Sequence, residues 1–239
     1  MFNDLRTALC YKIDMRSGLD RHGFILLPEL ESQISTLELA HQIGTVVEIE
    51  KLLPASGIPT VQTLRPREMV EVKRNQYSGN YGLDSFPLHT DLAHWVLPPR
   101  YFLLRCAVGA EDVYTTIFPF ARIVDLLGRP ALAKAVFRAR RRGFGCSGLV
   151  RALSPHQGAE VFRWDPVFLE PLSKHARGLK RAMDDPVNFK SQMNIKLAKP
   201  GDTIIVDNWQ TLHGRSAVRL ASTTRHIERV YLSEVFDDS

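Results

Sequence analysis

The chain has 239 residues, 44% hydrophobic and 24% charged, with a formal net charge of +5. That length fits one large domain, residues 1–239, better than two, and the ordinary composition excludes a disordered, fibrous or low-complexity chain. No run approaches the roughly 18 apolar residues of a membrane span, and the three cysteines are too few and too scattered for a disulfide framework or a zinc ribbon.

The N-terminal stretch has scattered charges and no apolar h-region, so a soluble, cytoplasmic protein is expected. HGFILLP then predicts a short buried strand. STLELAHQIG predicts a helix entered at a serine cap and closed by Gly44. From about Ile58 to Gly82 the chain reads as an irregular loop ending in RNQYSGNYG. RYFLLRCAV and EDVYTTIF read as two strands joined as a hairpin through GA. Helices are predicted from Pro119 to Gly128 and from Pro130 to Gly143. On that reading the arginine run FRARRRG is the solvated end of the second helix, and nucleic acid is not the expected partner. AEVFRW, SQMNIKLAKPGDTIIVDNW and TRHIERVYLSEVF close the chain as strands, with KPGD as a tight turn. Strands at both ends with helices between them predict a mainly β fold with inserted helices, a sandwich or jelly roll. No glycine-rich phosphate loop follows a strand.

The chemistry concentrates in FPLHTDLAHW. His89 and Asp91 are two residues apart and leave extended backbone on one side, the geometry of a clamp on one metal. A hydrogen-bonded core histidine or a surface pair is the plainer account of such a triplet. A third ligand is available in GDTIIVDNWQTLHGRSA, where a strand delivers His213 just before Gly214. Two histidines and a carboxylate leave three neighbouring positions open, as in non-haem Fe(II) oxygenases, although a zinc hydrolase could use the same ligands. A cosubstrate anchor separates the two. Arg225 and Arg229 in TTRHIERVYL lie four apart on one strand face, and either could hold a carboxylate by a bidentate fork. Equally, both could be edge-strand cations paired with Glu228 or Glu234.

The ordered motifs FPLHTDLAHWVLPPRYFLLRC, RWDP, KPGDTIIVDNWQTLHGRSA and TTRHIERVYL, from about Gly23 to the C-terminus, resemble the Fe(II)- and 2-oxoglutarate-dependent oxygenases of the taurine dioxygenase and clavaminate synthase superfamily. The resemblance implies a clavaminate synthase-like double-stranded β-helix, or distorted jelly roll. It implies His89, Asp91 and His213 as catalytic iron ligands, with O2 as oxidant, and Arg225 with Thr115 as the binding residues for 2-oxoglutarate. Thr116 is adjacent to Thr115 and the register is open by one. RWDP and the R-x-x-x-R spacing look more like the clavaminate synthase side. This implies Arg229 for a substrate carboxylate, and Asn75, Tyr77 and His94 along the pocket. The implied activity is hydroxylation of a small amino-acid-derived or carboxylate-bearing metabolite, free or carrier-bound, with desaturation or cyclisation as variants. A zinc-dependent hydrolase or a catalytically silent member of the fold are the alternatives. The chain is short for the family, and the insertions that form a lid are hard to find.

Overall fold

Two antiparallel sheets face each other across an apolar layer, and the period-two alternation of their strands decides which side chains enter it. The structure, a computed structural model, describes residues 15–71, 76–140 and 145–236. With strands numbered in chain order, the larger sheet runs β1 (Phe24–Leu27), β13 (Thr203–Asp207), β5 (Tyr101–Val108), β15 (His226–Val235) and β2 (Gly44–Val46), and β3 (Gln62–Leu64) also pairs with β15. The smaller sheet runs β12 (Met193–Lys196), β6 (Tyr114–Pro119), β14 (Thr211–Arg215) and β4 (Phe86–His89). Two small extensions flank it, one of β11 (Leu169–Pro171), β7 (Val136–Ala139) and β8 (Leu149–Arg151), the other a hairpin of β9 (Leu153–His156) and β10 (Ala159–Phe162). This is a jelly roll with helices on its outer faces. Among the described residues no helix is long and apolar enough to cross a membrane.

Phe102, Leu104, Ile204, Val206 and Ile227 of the larger sheet meet Ile117 and Ile195 of the smaller between the two. On the outer face of the larger sheet, Tyr101, Leu103, Ile205, Val230 and Leu232 receive Leu39, Ala40 and Ile43 from the helix Thr36–Ile43. That helix carries the expected cap: Ser35 Oγ accepts from Glu38 N at 3.2 Å, and Glu38 Oε2 accepts from Ser35 N at 2.9 Å. Outside the smaller sheet, Leu88, Phe118 and Leu212 pack under the helices Ala121–Leu127, Arg129–Ala133 and Lys174–Asp184. β5 is covered on both faces over most of its length, which is why YFLLRCAV reads as a continuous apolar run instead of an alternating one.

Several expectations are corrected. β5 and β6 are not a hairpin: β5 lies between β13 and β15, and β6 between β12 and β14, so the GA link crosses from one sheet to the other. KPGD makes the same crossing between β12 and β13. The helix predicted to Gly143 stops at Ala133. Val136–Ala139 is a strand whose Phe137 and Ala139 are buried and Arg138 exposed, because β11 and β8 offer pairing on both sides. Residues 141–144 lie outside the described residues. Gly44 closes the helix Thr36–Ile43 as expected, its N–H donating to the Ala40 carbonyl, and does so in extended backbone that opens β2, where a Cβ would stand 2.1 Å from the Glu234 carbonyl oxygen. The loop of residues 58–82 contains β3 and a short helix, Ser78–Tyr81.

Buried Arg105, central in β5, donates to three carbonyls that fold residues 28–34 against the larger sheet: Ile34 at 2.9 Å, Leu30 at 3.0 Å and Glu31 at 2.5 Å. Arg105→Leu is expected to cost about 3 kcal/mol, since three half-buried acceptors lose a charged donor. Urea unfolding measures this, and a change under about 0.5 kcal/mol would mean the segment holds without it.

Candidate metal centre

β14 runs antiparallel to β4 with His213 opposite His89, so both imidazoles leave the inner face together, their ring centroids 4.3 Å apart. Asp91 follows β4 in a turn where Leu92 takes φ +52°. Its Oδ1 sits 3.7 Å from His89 Nε2 and 3.6 Å from His213 Nε2, too long for hydrogen bonds. All three side chains are buried, and their ligating atoms lie within 4.8 Å of one another.

Electrostatics favours a cation at that point. His89 Nδ1 lies 2.9 Å from the Pro87 carbonyl, an acceptor only, so Nδ1 carries the proton and Nε2 turns its lone pair to the centre. Burial, helped by neighbouring His213, pushes His89 down to about 3 and keeps it neutral. Burial alone would raise the Asp91 carboxyl. Arg229 and the two imidazoles outweigh it and hold Asp91 below the ordinary carboxylate range. Two imidazole nitrogens and a carboxylate oxygen therefore converge on one point, and this donor set fits a divalent transition metal.

The backbone of Asp91 is pinned by Asn208, at the turn between β13 and β14. Asn208 Oδ1 accepts from Asp91 N at 2.7 Å, and Nδ2 donates to the carbonyls of Asp91 (3.0 Å) and Pro99 (2.9 Å). The outer oxygen, Oδ2, accepts from Arg229 Nη1 at 2.7 Å and from the Tyr231 hydroxyl at 3.1 Å, while Arg229 Nη2 donates to Gln62 Oε1 at 2.7 Å. Arg229 was expected to meet a substrate anion; here it is committed to the carboxylate of the triad and to β3. Sequence reasoning missed Asn208, Gln62 and Tyr231. Tyr231 was within reach, since it shares the face of Arg229 two residues on.

Arg225 precedes β15 in a turn rather than lying within the strand. It is 5% exposed and, among the described residues, has no carboxylate and no hydrogen-bond acceptor on its guanidinium. Burial pushes it down to about 10, and the same drop in Arg215 comes from burial and then from Arg225, which puts the two cations near each other. Arg215 spends its donors on the carbonyls of Gly82 (2.9 Å) and Asp84 (2.7 Å) and stacks on Phe86, 3.6 Å to the ring centroid. Thr115 is the Cα partner of Arg215 and shares the face of Ile117, which is opposite His213. Thr116 faces the other way, donating to Asn194 Oδ1 at 3.0 Å.

Tyr77 stacks on His89 at 4.0 Å, and its ring meets Phe168 at 6.2 Å, which meets His94 at 4.9 Å. His94 is thus separated from His89 by two rings. Asn75 lies outside the described residues. Asp165 of RWDP, to which the sequence pattern assigned no role, is 1% exposed. Its Oδ1 accepts from Val167 N (2.7 Å) and Phe168 N (2.8 Å), and among the described residues no cation pairs with it. Burial pushes it up to about 7 against those two N–H groups and the Tyr77 hydroxyl. A carboxyl raised in the folded state adds stability that is complete below its unfolded pKa and is lost as pH rises through the folded one. Metal-free protein is therefore expected to lose stability between about pH 4 and 7 relative to Asp165→Asn, in thermal unfolding followed across that range. Parallel curves for the two proteins would contradict the assignment.

No protein-family model matches the chain. Clavaminate synthase 2 of Streptomyces clavuligerus is 27% identical over 163 residues, which is 60% of this chain and 48% of that protein. The chain thus spans about half the length of the curated relative it matches. Asparagine oxygenase in complex with Fe(II), 2S,3S-3-hydroxyasparagine and succinate superposes with a TM-score of 0.66 at 20% identity, over 94% of this chain and 79% of that one. The non-heme iron oxygenase OrfP, in complex with Fe, succinate and (3S)-hydroxy-L-Arg, gives 0.61 at 18% identity, over 96% and 80%. PvcB of Pseudomonas aeruginosa gives 0.61 at 19% identity, over 91% and 78%. The chain has the fold of the clavaminate synthase-like Fe(II)/2-oxoglutarate oxygenases, and in sequence it is similar to clavaminate synthase 2.

Proposed function

We propose that the protein is an Fe(II)- and 2-oxoglutarate-dependent oxygenase that hydroxylates a C–H bond of a small amino-acid-derived substrate. One observation carries this reading: beside the His89/Asp91/His213 triad, Arg215, two residues from His213 on β14, has as its neighbour Arg225, a buried guanidinium without an anionic partner among the described residues. A zinc hydrolase needs the triad but has no use for that arginine. Bound in such a site, iron would let O2 act as the oxidant, and 2-oxoglutarate would supply two electrons and take one oxygen atom as it becomes succinate and CO2.

The chain's own work is positional. His89, Asp91 and His213 would hold the metal. Arg225 would take the distal carboxylate of 2-oxoglutarate through a two-point fork, which also offsets the cost of burying it unpaired. Thr115, on the facing strand, would add its hydroxyl. Tyr77, flat against His89, keeps water from one side of the centre. Asp165 would receive the substrate ammonium, because an unpaired buried carboxyl is stabilised most by a cation. Asparagine oxygenase and OrfP hold hydroxylated amino acids in their structures, which supports the same substrate class here.

Without oxygen, adding Fe(II) and then 2-oxoglutarate should produce the weak visible band of a chelated 2-oxo acid. Arg225→Ala should raise the 2-oxoglutarate needed for half the band about tenfold or more while leaving Fe(II) affinity within about twofold. His213→Ala should lose both. A folded, metal-loaded protein that gives no band would remove the cosubstrate from the reading, and activity with zinc alone would put the hydrolase in its place.

A further inference from the structure

Asp91 presents its two oxygens to different surroundings. Oδ1 faces both His Nε2 atoms, whereas Oδ2 is turned away into a small polar cluster on the larger sheet. That cluster is a chain of donors and acceptors. Gln62 of β3 accepts from Arg229, Arg229 donates to Oδ2, and Tyr231 donates to the same oxygen. Arg229 and Tyr231 are alternate residues of β15, so both reach across the layer from one face, and β3 pairs with β15 through Gln62 opposite Arg229. The Arg229 guanidinium also lies 5.0 Å from the Tyr231 ring centroid, which limits its freedom to swing away.

An isolated carboxylate can bind a metal through one oxygen or two, and the two-oxygen mode consumes a second coordination position. Here the outer oxygen already accepts two hydrogen bonds, one from a cation, in a buried setting where losing them is costly. We infer that Arg229 and Tyr231 are positioning residues that hold Asp91 to single-oxygen ligation and so keep three neighbouring positions of the metal open for a chelating cosubstrate and O2. The inference deepens the proposed function and rests on it for the identity of the molecules that use the open positions. The bonding of Oδ2 itself does not depend on that identity. It also places Arg229 behind the metal ligand, where the resemblance had implied contact with the substrate.

The test uses metal alone, with neither cosubstrate nor substrate. Wild type, Arg229→Gln, Arg229→Lys and Tyr231→Phe would be titrated with Fe(II) anaerobically. The splitting between the asymmetric and symmetric carboxylate stretches of isotopically labelled aspartate would be followed by infrared difference spectroscopy. Arg229→Gln is expected to weaken Fe(II) about 10- to 100-fold, the usual effect of removing an outer hydrogen bond to a ligand. It should also narrow the stretch splitting toward the two-oxygen pattern. Arg229→Lys should recover part of the affinity, because it restores a donor and a charge but not the fork. Tyr231→Phe, which removes one oxygen atom and is the milder change for folding, should lower affinity less and move the splitting the same way. Unchanged metal affinity and splitting in all three variants would overturn the inference. Absence of metal binding in the wild type would overturn it too. Failure of the wild type to give the 2-oxoglutarate band while it binds Fe(II) would count against the oxygenase reading alone, and the variant series would still decide the role of Arg229.

Discussion

The register between β14 and β4 governs this site. With His213 opposite His89, two imidazoles on strands distant in sequence become neighbours, and one slipped residue would send His213 to the outer face among Phe118 and Leu212. Gly214 makes the approach possible. A Cβ at that position would stand 2.7 Å from the Phe86 carbonyl oxygen, and the pairing shifts register across it, between His213 and Arg215. Asp91 then depends on a second constraint, the clamp of Asn208 on its main chain, so that β4, the 207–211 turn and β15 all meet at one carboxylate.

The layer between the sheets is apolar at one end and charged at the other. Asp91 and Arg229 compensate each other directly. Arg225 and Asp165 have no such compensation within the described residues, and they are buried to 5% and 1% exposure. Unpaired ionisable groups at such depth are among the more costly features a fold can carry, and proteins retain them mainly where a ligand completes the arrangement. Arg225 is suited to an anion and Asp165 to a cation.

Much of this was legible in the sequence because it depends on local pattern. The H-x-D spacing, the strand before His213 and the serine cap at Ser35 need only a few residues each to be recognised, and the structure has all three. Pairing was not legible. RYFLLRCAV and EDVYTTIF are correctly strands, yet nothing within either says that they enter different sheets, because that choice is settled by β13, β14 and β15 a hundred residues later. Val136–Ala139 was misread for a related reason. Alanine and arginine favour a helix in isolation, and the edges of β8 and β11 override that preference. The partner of Arg229 was hidden likewise, since spacing shows a shared face but not which acid lies across the layer.

The crossing of the chain between sheets at every connection from β3 to β6 and from β12 to β15 has a kinetic consequence. The ligands at 89 and 91 cannot meet the one at 213 until β13 and β14 have been inserted between strands from the first half of the molecule. Such non-local insertion is slow relative to helix formation. The centre is therefore among the last parts of the molecule to exist, and it cannot be present in a half-assembled sheet. Metal capture would act as a molecular clock, marking the moment at which the two sheets have closed on each other.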